Sequence, residues 1–475
     1  MLAVDRRRGE FLYQQVIDLI QMEIESGALR PGDRLPSLRR LAGNLEVSVP
    51  TVKQAYEELE RQGRVESRPQ SGFYVKTVSR NPLVRPAVAQ TPQPVEVCCR
   101  NLVDEVYDGM HQPDTIPLGI ANPTMAKPAA RSLHRTMKRV MARAEERSLC
   151  YSPVAGEPGL RRHLAFRYLD LGGAVRPQDV VITNGCQEAL TLALKAVARP
   201  GDVVAVESPT YSGTLELIEA LGMLALEIET CPTEGLSLKA LKQALGRESV
   251  RACVFSSSIN NPLGSATSDE HRQALVELLE GYRIPLIEDD VYGDLHFDGS
   301  RGKPAQFFSR RGLVLTAGSF AKTAAPGYRI GWLLPGRFTD QVLRLKRALS
   351  YSSGMLQQLT LADFVGSGEY DRYLRQLRPV LRLNCERMTA QVARWFPEDT
   401  RISQPQGGSV LWLELKPEVE GADLFRRALA AGVSVAPGEI FSASGRYRNF
   451  IRLSFGHPWG PDLENALETL GSLLR

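Results

Sequence analysis

The stretch Gly318–Trp332 reads GSFAKTAAPGYRIGW. It holds one lysine, Lys322, in a run without an acidic residue, with Ser319 three positions before it and Arg329 seven after it. The apolar run LVLTAGSF (313–320) leads into it, so Lys322 falls where a buried strand passes into a loop. A solvated surface lysine needs no such setting, whereas an amine meant to react does.

Further short apolar runs precede it: VVIT (180–183), VVAVES (203–208), ACVFSSS (252–258) and PLIEDD (285–290). Helix-like segments such as QEALTLALKAVA separate them. That alternation predicts an α/β domain on a mainly parallel sheet over residues 114–475, with a smaller α+β subdomain from about 345 onward. In such sheets ligands gather at the loops that follow strand C-termini. There, NGCQEAL sets Gly185, Cys186 and Gln187 at a helix N-terminus, a phosphate site through backbone N–H groups. SINNPLG puts Asn261 in a turn, and EDDVYGD ends a strand at Asp289 with Tyr292 three residues on.

Singly, these are a turn asparagine, a solvated strand end, a helix cap (Ser319) and a surface lysine. Together they match one ligand, a phosphorylated pyridine aldehyde. The aldehyde needs an amine for a Schiff base, which Lys322 offers. The ring nitrogen needs a carboxylate to stay protonated, so that the ring acts as an electron sink, and Asp289 provides it. The phenolic oxygen needs neutral donors, Asn261 and Tyr292. The phosphate needs a helix N-terminus, a hydroxyl and an arginine, met by Gly185–Gln187, Ser319 and Arg329.

The first 76 residues follow a different pattern. Leu12, Val16, Leu19, Ile20 and Ile24 have helical spacing up to Gly27. RPGDRLP (30–36) is a turn, Ser37 caps a second helix with Leu38, Leu41 and Leu45 inward, and Ser48 caps a third with Val52, Ala55, Tyr56 and Leu59 inward. RVESRP and GFYVK then read as a hairpin around Gln70, Ser71 and Gly72, which completes a winged helix-turn-helix. Net charge does not mark it as a DNA binder, since residues 1–76 hold 12 Lys/Arg against 11 Asp/Glu. Position does: Arg34, Arg39, Arg40, Lys53, Arg64 and Arg68 fall on the parts that face a duplex in this fold.

Between the two units, residues 77–113 are expected to be a linker. Their stretch 78–95 has four prolines and neither an acidic nor an aromatic residue. At 475 residues the chain is long enough for two or three domains. Its 43% hydrophobic and 24% charged content are ordinary for a soluble protein, and a net charge of +4 permits a nucleic-acid partner without arguing for one. The seven cysteines and six histidines show no metal-site spacing. No apolar run approaches the roughly 18 residues of a membrane span. A cytoplasmic location without membrane association is expected.

Residues 27–75, from GALRPGDRLPS through VSVPTVKQAYEEL to SGFYV, resemble the DNA-binding domain of GntR-type bacterial regulators. The resemblance implies a double-stranded operator contacted by Arg34, Arg39, Ser48, Thr51 and Lys53, with Ser71 and Gly72 at the wing tip. Many relatives carry arginine after the cap serine, where this chain has Val49 and Pro50, so one bidentate guanine contact is lost. Residues 114–475 resemble fold type I aminotransferases through YSPVAGEPGL, ESPTYSG, NNPLG, EDDVYGDL, the Lys322 stretch and IRLSF. That resemblance implies pyridoxal 5′-phosphate on Lys322, Tyr211 stacked on its ring, Tyr151 reaching the phosphate of a partner subunit, and Arg452 gripping a substrate carboxylate. Head and body together resemble the MocR subfamily. The implied protein is a head-to-tail, domain-swapped homodimer whose body senses an amino acid or amine and repositions the DNA-binding heads. The alternative is a working aminotransferase with a 2-oxo acid acceptor and an accessory DNA-binding domain.

Overall fold

The computed structural model describes residues 11–475 except 26–27, 30–31, 62–63, 69–70, 77–81, 84–92, 98–99, 111, 113, 122 and 124–126. Gly27, Gly63, Gln70, the side chain of Arg68 and much of the expected linker lie outside the described residues.

In the head, three helices, α1 (Leu12–Glu25), α2 (Leu38–Leu45) and α3 (Val49–Arg61), precede a hairpin of β1 (Val65–Arg68) and β2 (Gly72–Val75). Ser37 caps α2 by accepting the Arg40 N–H at 3.3 Å, and Glu46 ends that helix in the left-handed region at φ 53°. Val52, Ala55, Tyr56 and Leu59 of α3 are fully buried against Val16 and Ile17 of α1. Burying Val52 and Leu59 contributes about 1.5–3 kcal/mol each. The Tyr56 hydroxyl donates to the Pro36 carbonyl at 2.8 Å, which fixes the turn before α2 onto α3.

A fourth helix, α4 (Arg100–Met110), stands inside the segment read as linker. Val103 and Val106 are buried in the core cluster of the body, so the linker reading needs correction at its C-terminal end. Leu102, Val103, Val106, Tyr107 and Met110 have the spacing of an amphipathic helix, and Val103 and Val106 find an apolar partner surface in the body.

The strands of the body, in chain order, are β3 (Ile116–Pro117), β4 (Val181–Thr183), β5 (Val203–Ser208), β6 (Leu224–Cys231), β7 (Gly235–Leu236), β8 (Val250–Phe255), β9 (Leu286–Asp289), β10 (Val314–Ser319), β11 (Gly331–Leu334), β12 (Arg401–Ile402), β13 (Val410–Glu414), β14 (Val433–Ser434), β15 (Ala436–Pro437) and β16 (Phe450–Ser454). Eight of them form one sheet in the order β4-β11-β10-β9-β8-β5-β6-β7. The run β10-β9-β8-β5-β6 is parallel, while β11 pairs antiparallel with both neighbours. Its strands are buried on both faces, which is why they read as unbroken apolar runs.

The smaller sheet, β12-β13-β16-β15, is antiparallel. It lies in one core cluster with residues of the 27-residue helix Glu369–Trp395 and of the helix Pro461–Leu473. β3 pairs with β14, so residues ahead of the large sheet also join this part of the body. Among the described residues no helix is long and apolar enough to cross a membrane.

Candidate functional site

The parallel strands end on one edge of the sheet, and the loops there enclose a cavity of about 460 Å³. Lys322, Asp289, Asn261, Tyr292, Tyr211, Cys186, Gln187, Arg329 and Arg452 all line it. Its size suits a small cofactor with a substrate-sized ligand.

Lys322 follows β10 in a short 3-10 turn. Burial and the nearby Arg452 lower its ammonium from the ordinary 10.5 to about 8, against the pull of Asp289. Asp289 closes β9, and burial lifts its carboxyl from 3.8 to about 6. The Val291 N–H at 3.1 Å and the Cys186 thiol at 3.6 Å resist that rise by donating to Oδ1. Burial holds the Cys186 thiol well above its usual range, so it serves as a neutral donor.

Asn261 sits in the loop after β8, and its Oδ1 accepts from Arg452 Nη1 at 3.1 Å. That leaves the amide N–H groups of Asn261 for another acceptor. Tyr292 is 2% exposed, and burial pushes its phenol up to about 12, so it is a donor throughout the physiological range. Tyr211 precedes the helix Ser212–Ala220; a Cβ on Gly213 would lie 2.5 Å from its ring, so only glycine lets the ring lie down there.

Gly185, at φ 82°, starts the helix Cys186–Val197 and turns its first N–H groups toward the cavity edge. Arg329 donates to the Asn184 carbonyl at 3.4 Å, and a Cβ on Gly185 would stand 2.7 Å from its guanidinium. The backbone angle favours glycine here, and a Cβ would also displace the Arg329 guanidinium from its place. Arg452, on β16, is 5% exposed; Nη2 donates to the Gly119 carbonyl, and Nε is buried without a hydrogen-bond partner.

Two expected phosphate residues stand outside the cavity lining of the single chain. The Ser319 hydroxyl donates to the Ile330 carbonyl and accepts the Ala321 N–H, both at 3.1 Å. In this arrangement it braces the turn that carries Lys322, and Ser319 is not among the residues lining the cavity. Tyr151 is 83% exposed and lies outside the cavity, edge-on to Tyr351 with ring centroids 5.4 Å apart.

Sequence reasoning missed the roof and the buttress. Val103, Val106 and Tyr107 of α4 line the cavity, and the Tyr107 hydroxyl donates to Glu216 at 3.4 Å. Behind the helix Cys186–Val197, Glu188 accepts the Asn184 N–H at 2.5 Å and the fully buried Lys346 amine at 3.1 Å. The i,i+4 relation between Asn184 and Glu188 was a legible signal, but the pairing with Lys346 was not.

On the head, Arg34, Arg39, Lys53 and Gly72 are exposed. Ser48 accepts the Thr51 N–H at 3.2 Å, and the two hydroxyls lie 2.7 Å apart, so both residues start α3 at the surface. The Ser71 hydroxyl meets that of Tyr74 at 2.5 Å, and the Arg34 guanidinium lies over Gly72. Turn, third helix and wing therefore supply one polar set, although Lys53 shares its charge with Glu57 at 3.4 Å.

A winged helix-turn-helix joined to an aminotransferase-type body is the architecture of a regulator. Residues 113–470 match the family model "Aminotransferase class I and II", and residues 12–75 match "Bacterial regulatory proteins, gntR family". The chain is 35% identical over 459 residues to YjiR, an uncharacterized HTH-type transcriptional regulator of Escherichia coli strain K12, which covers 97% of this chain and 98% of that one. It is 28% identical over 447 residues to the probable rhizopine catabolism regulatory protein MocR of Rhizobium meliloti, covering 92% and 88% of the two chains. Among solved structures it is similar to LysN, the alpha-aminoadipate aminotransferase of Thermus thermophilus complexed with N-(5′-phosphopyridoxyl)-L-leucine. There the TM-score is 0.71 and the identity 28%, over 78% of this chain and 94% of that one. The chain belongs to the aminotransferase class I and II family, in its MocR-type form with a GntR-type DNA-binding head.

The residues fit the cofactor of that family, pyridoxal 5′-phosphate. A buried carboxylate, a depressed lysine beside it, a buried tyrosine and asparagine amide, a glycine-edged helix N-terminus and an orphaned arginine N–H are the groups its four polar regions and a carboxylated ligand require.

Proposed function

We propose that this chain is a transcriptional regulator that senses an amino acid or other primary amine through pyridoxal 5′-phosphate held in its body. The observation that carries the reading is the joining, in one chain, of a DNA-binding head to a cavity where a buried lysine, carboxylate and arginine converge. Bound there, the cofactor supplies an aldehyde carbon that exchanges one primary amine for another and a ring that draws off electrons. Lys322 is the amine that holds this carbon at rest. Asp289 faces the ring nitrogen, Asn261 and Tyr292 face the phenolic oxygen, and Tyr211 lies on the ring. The N–H groups at Gly185, Cys186 and Gln187 hold the phosphate together with Ser319 and Arg329. Arg452 offers its guanidinium to the carboxylate of an amino-acid effector.

An effector regulates only by binding two arrangements of the molecule unequally. The sensing body acts in this reading on a duplex operator held by Arg34, Arg39, Ser48, Thr51, Lys53, Ser71 and Gly72. The protein works as a cytoplasmic head-to-tail homodimer with exchanged heads, in which Tyr151 completes the partner's phosphate site. The exposure of Leu149 (87%) and Tyr151 (83%) supports that surface being covered.

A second reading, a working aminotransferase with a 2-oxo acid acceptor, is favoured by one observation. A lysine brought down to about 8 is a competent general base once released. Titrating the cofactor-loaded protein with amino acids, amines and 2-oxo acids, while following the visible absorbance of the cofactor, separates the two. A band that shifts and then holds for one compound supports sensing. Repeated conversion to the pyridoxamine form and recovery by a 2-oxo acid supports turnover and sinks the purely sensory role.

A further inference from the structure

The edge of the large sheet opposite Lys322, where β8, β9 and β10 begin, borders a second cavity of about 670 Å³. Lys195 and Arg199 reach it from the end of the helix Cys186–Val197, and Arg251 from the start of β8. Arg283 follows the helix Asp269–Tyr282, Arg311 precedes β10, and Arg337 follows β11. No carboxylate lines the cavity, and its floor includes apolar Val197 and Leu313.

Ordinary structural roles account for part of this charge. Lys195, Arg199 and Arg283 lie at the carbonyl ends of two helices, where a cation is favoured. Arg251 donates Nε to the Val197 carbonyl at 3.0 Å. Glu280 faces Arg311, but its carboxylate already accepts from the Ser309 hydroxyl and from the backbone N–H groups of Arg310 and Arg311. Among the described residues none of the six cations has an ion-pair partner, and the Arg199, Arg311 and Arg337 side chains make no hydrogen bond. Like charges gathered round one concavity repel until an anion bridges them. Five of the six are arginines, whose forked donors match phosphate oxygens two at a time. One ligand charge cannot satisfy such a ring, so the ligand carries several.

We propose that this cavity binds the phosphate groups of a polyanion, either the backbone of duplex DNA or a free polyphosphate. The charge of the head favours DNA as the source. Residues 1–76 carry 12 Lys/Arg against 11 Asp/Glu, so the head brings little of the sequence-independent attraction that duplex binding draws on. A phosphate contact on the body supplies it.

The test uses the full chain loaded with cofactor, whose visible absorbance reports folding and fills the other phosphate site. Two double variants, Arg311→Gln with Arg337→Gln and Lys195→Gln with Arg199→Gln, guard against a single disruptive change. The first arm measures affinity for a random-sequence duplex as chloride rises. If the duplex is the ligand, the slope of log affinity against log salt falls by about 2 in each double variant. The second arm measures the melting midpoint with sodium tripolyphosphate against sodium chloride at equal ionic strength. If a free polyphosphate is the ligand, the wild-type midpoint rises and the variants lose the rise, with DNA slopes unchanged. Variants that keep the cofactor band and match wild type in both arms overturn the proposal.

Discussion

Asp289 shows how one side chain can weaken the fold while making the site. Its carboxyl titrates at 3.8 in the ordinary state and about 6 in the folded one, because burial disfavours the charge. The folded state therefore binds the proton more tightly. The resulting stability is present below about pH 4 and lost as pH rises through 6. Two pK units correspond to about 3 kcal/mol. Chemical denaturation of cofactor-free Asp289→Asn should show a chain more stable than wild type by up to about 3 kcal/mol at pH 8 and equal to it near pH 4, with weaker cofactor retention. A difference independent of pH would mean that Asp289 is not the titrating group. Arg452 carries the complementary expectation for the ligand. Arg452→Ala should weaken an amino acid by at least ~100-fold, the scale of a lost charge-assisted pair at about 3 kcal/mol, and spare a simple amine. Equal weakening of both, read from the cofactor absorbance, would remove the carboxylate role. Neither side chain stands out in the sequence alone; a lone carboxylate and a lone arginine become specific only with their neighbours.

At the scale of elements, the phosphate end of the site depends on how the helix Cys186–Val197 is held. Glu188 joins its first turn to the Asn184 N–H and to Lys346 on the helix Thr339–Leu349. Glu188→Gln leaves a fully buried amine without a counter-charge, a loss of about 3–5 kcal/mol. Lys346→Met beside it should recover part of that stability, since an apolar side chain of similar volume needs no partner. Urea unfolding of the single and double variants decides this, and no recovery would mean that the pair does not act as a unit. The head's helices were legible because their caps and leucine spacing are local: Ser37, Leu41 and Leu45 fall where expected. The strands that carry the site, β4, β5, β8, β9 and β10, were legible as apolar runs. α4 was passed over although Leu102, Val103, Val106, Tyr107 and Met110 have helical spacing; what the sequence does not show is the surface that Val103 and Val106 bury against, which is assembled from distant residues. Ser319 was legible as a residue but not as a role, because its acceptor, Ile330, arrives through an antiparallel neighbour strand.

At the scale of the molecule, head and body of one chain touch through Glu66 on β1 and Arg382 on the helix Glu369–Trp395. Arg382 Nη2 donates to both carboxylate oxygens at 2.8 Å, a contact that an exchange of heads between subunits has to break. With side chains 38% exposed for Arg382 and 21% for Glu66, the pair is worth about 0–1 kcal/mol, so it biases the docking of the head by no more than about fivefold. Glu66→Arg should therefore loosen the head without unfolding it, seen as faster hydrogen exchange in β1 and β2. The reciprocal exchange, Glu66→Arg with Arg382→Glu, should restore the slow rate. Exchange that is unchanged in the single variant would show that other contacts hold the head. A weak latch of this kind suits a regulator, since a strong one would leave an effector too little free energy to move the equilibrium.

The sequence by itself determined the two units, the helices of the head, the strands that carry the site and the residues at their ends. Periodicity, caps and strand-end chemistry are written within a few residues of one another. Only the tertiary structure decided that Arg452 meets Asn261 across 191 positions, that α4 roofs the cavity, and that cations from residue 195 to 337 share one concavity. Those proximities follow from the order in which strands pair, which is set by the burial of the whole core and leaves no trace in local spacing.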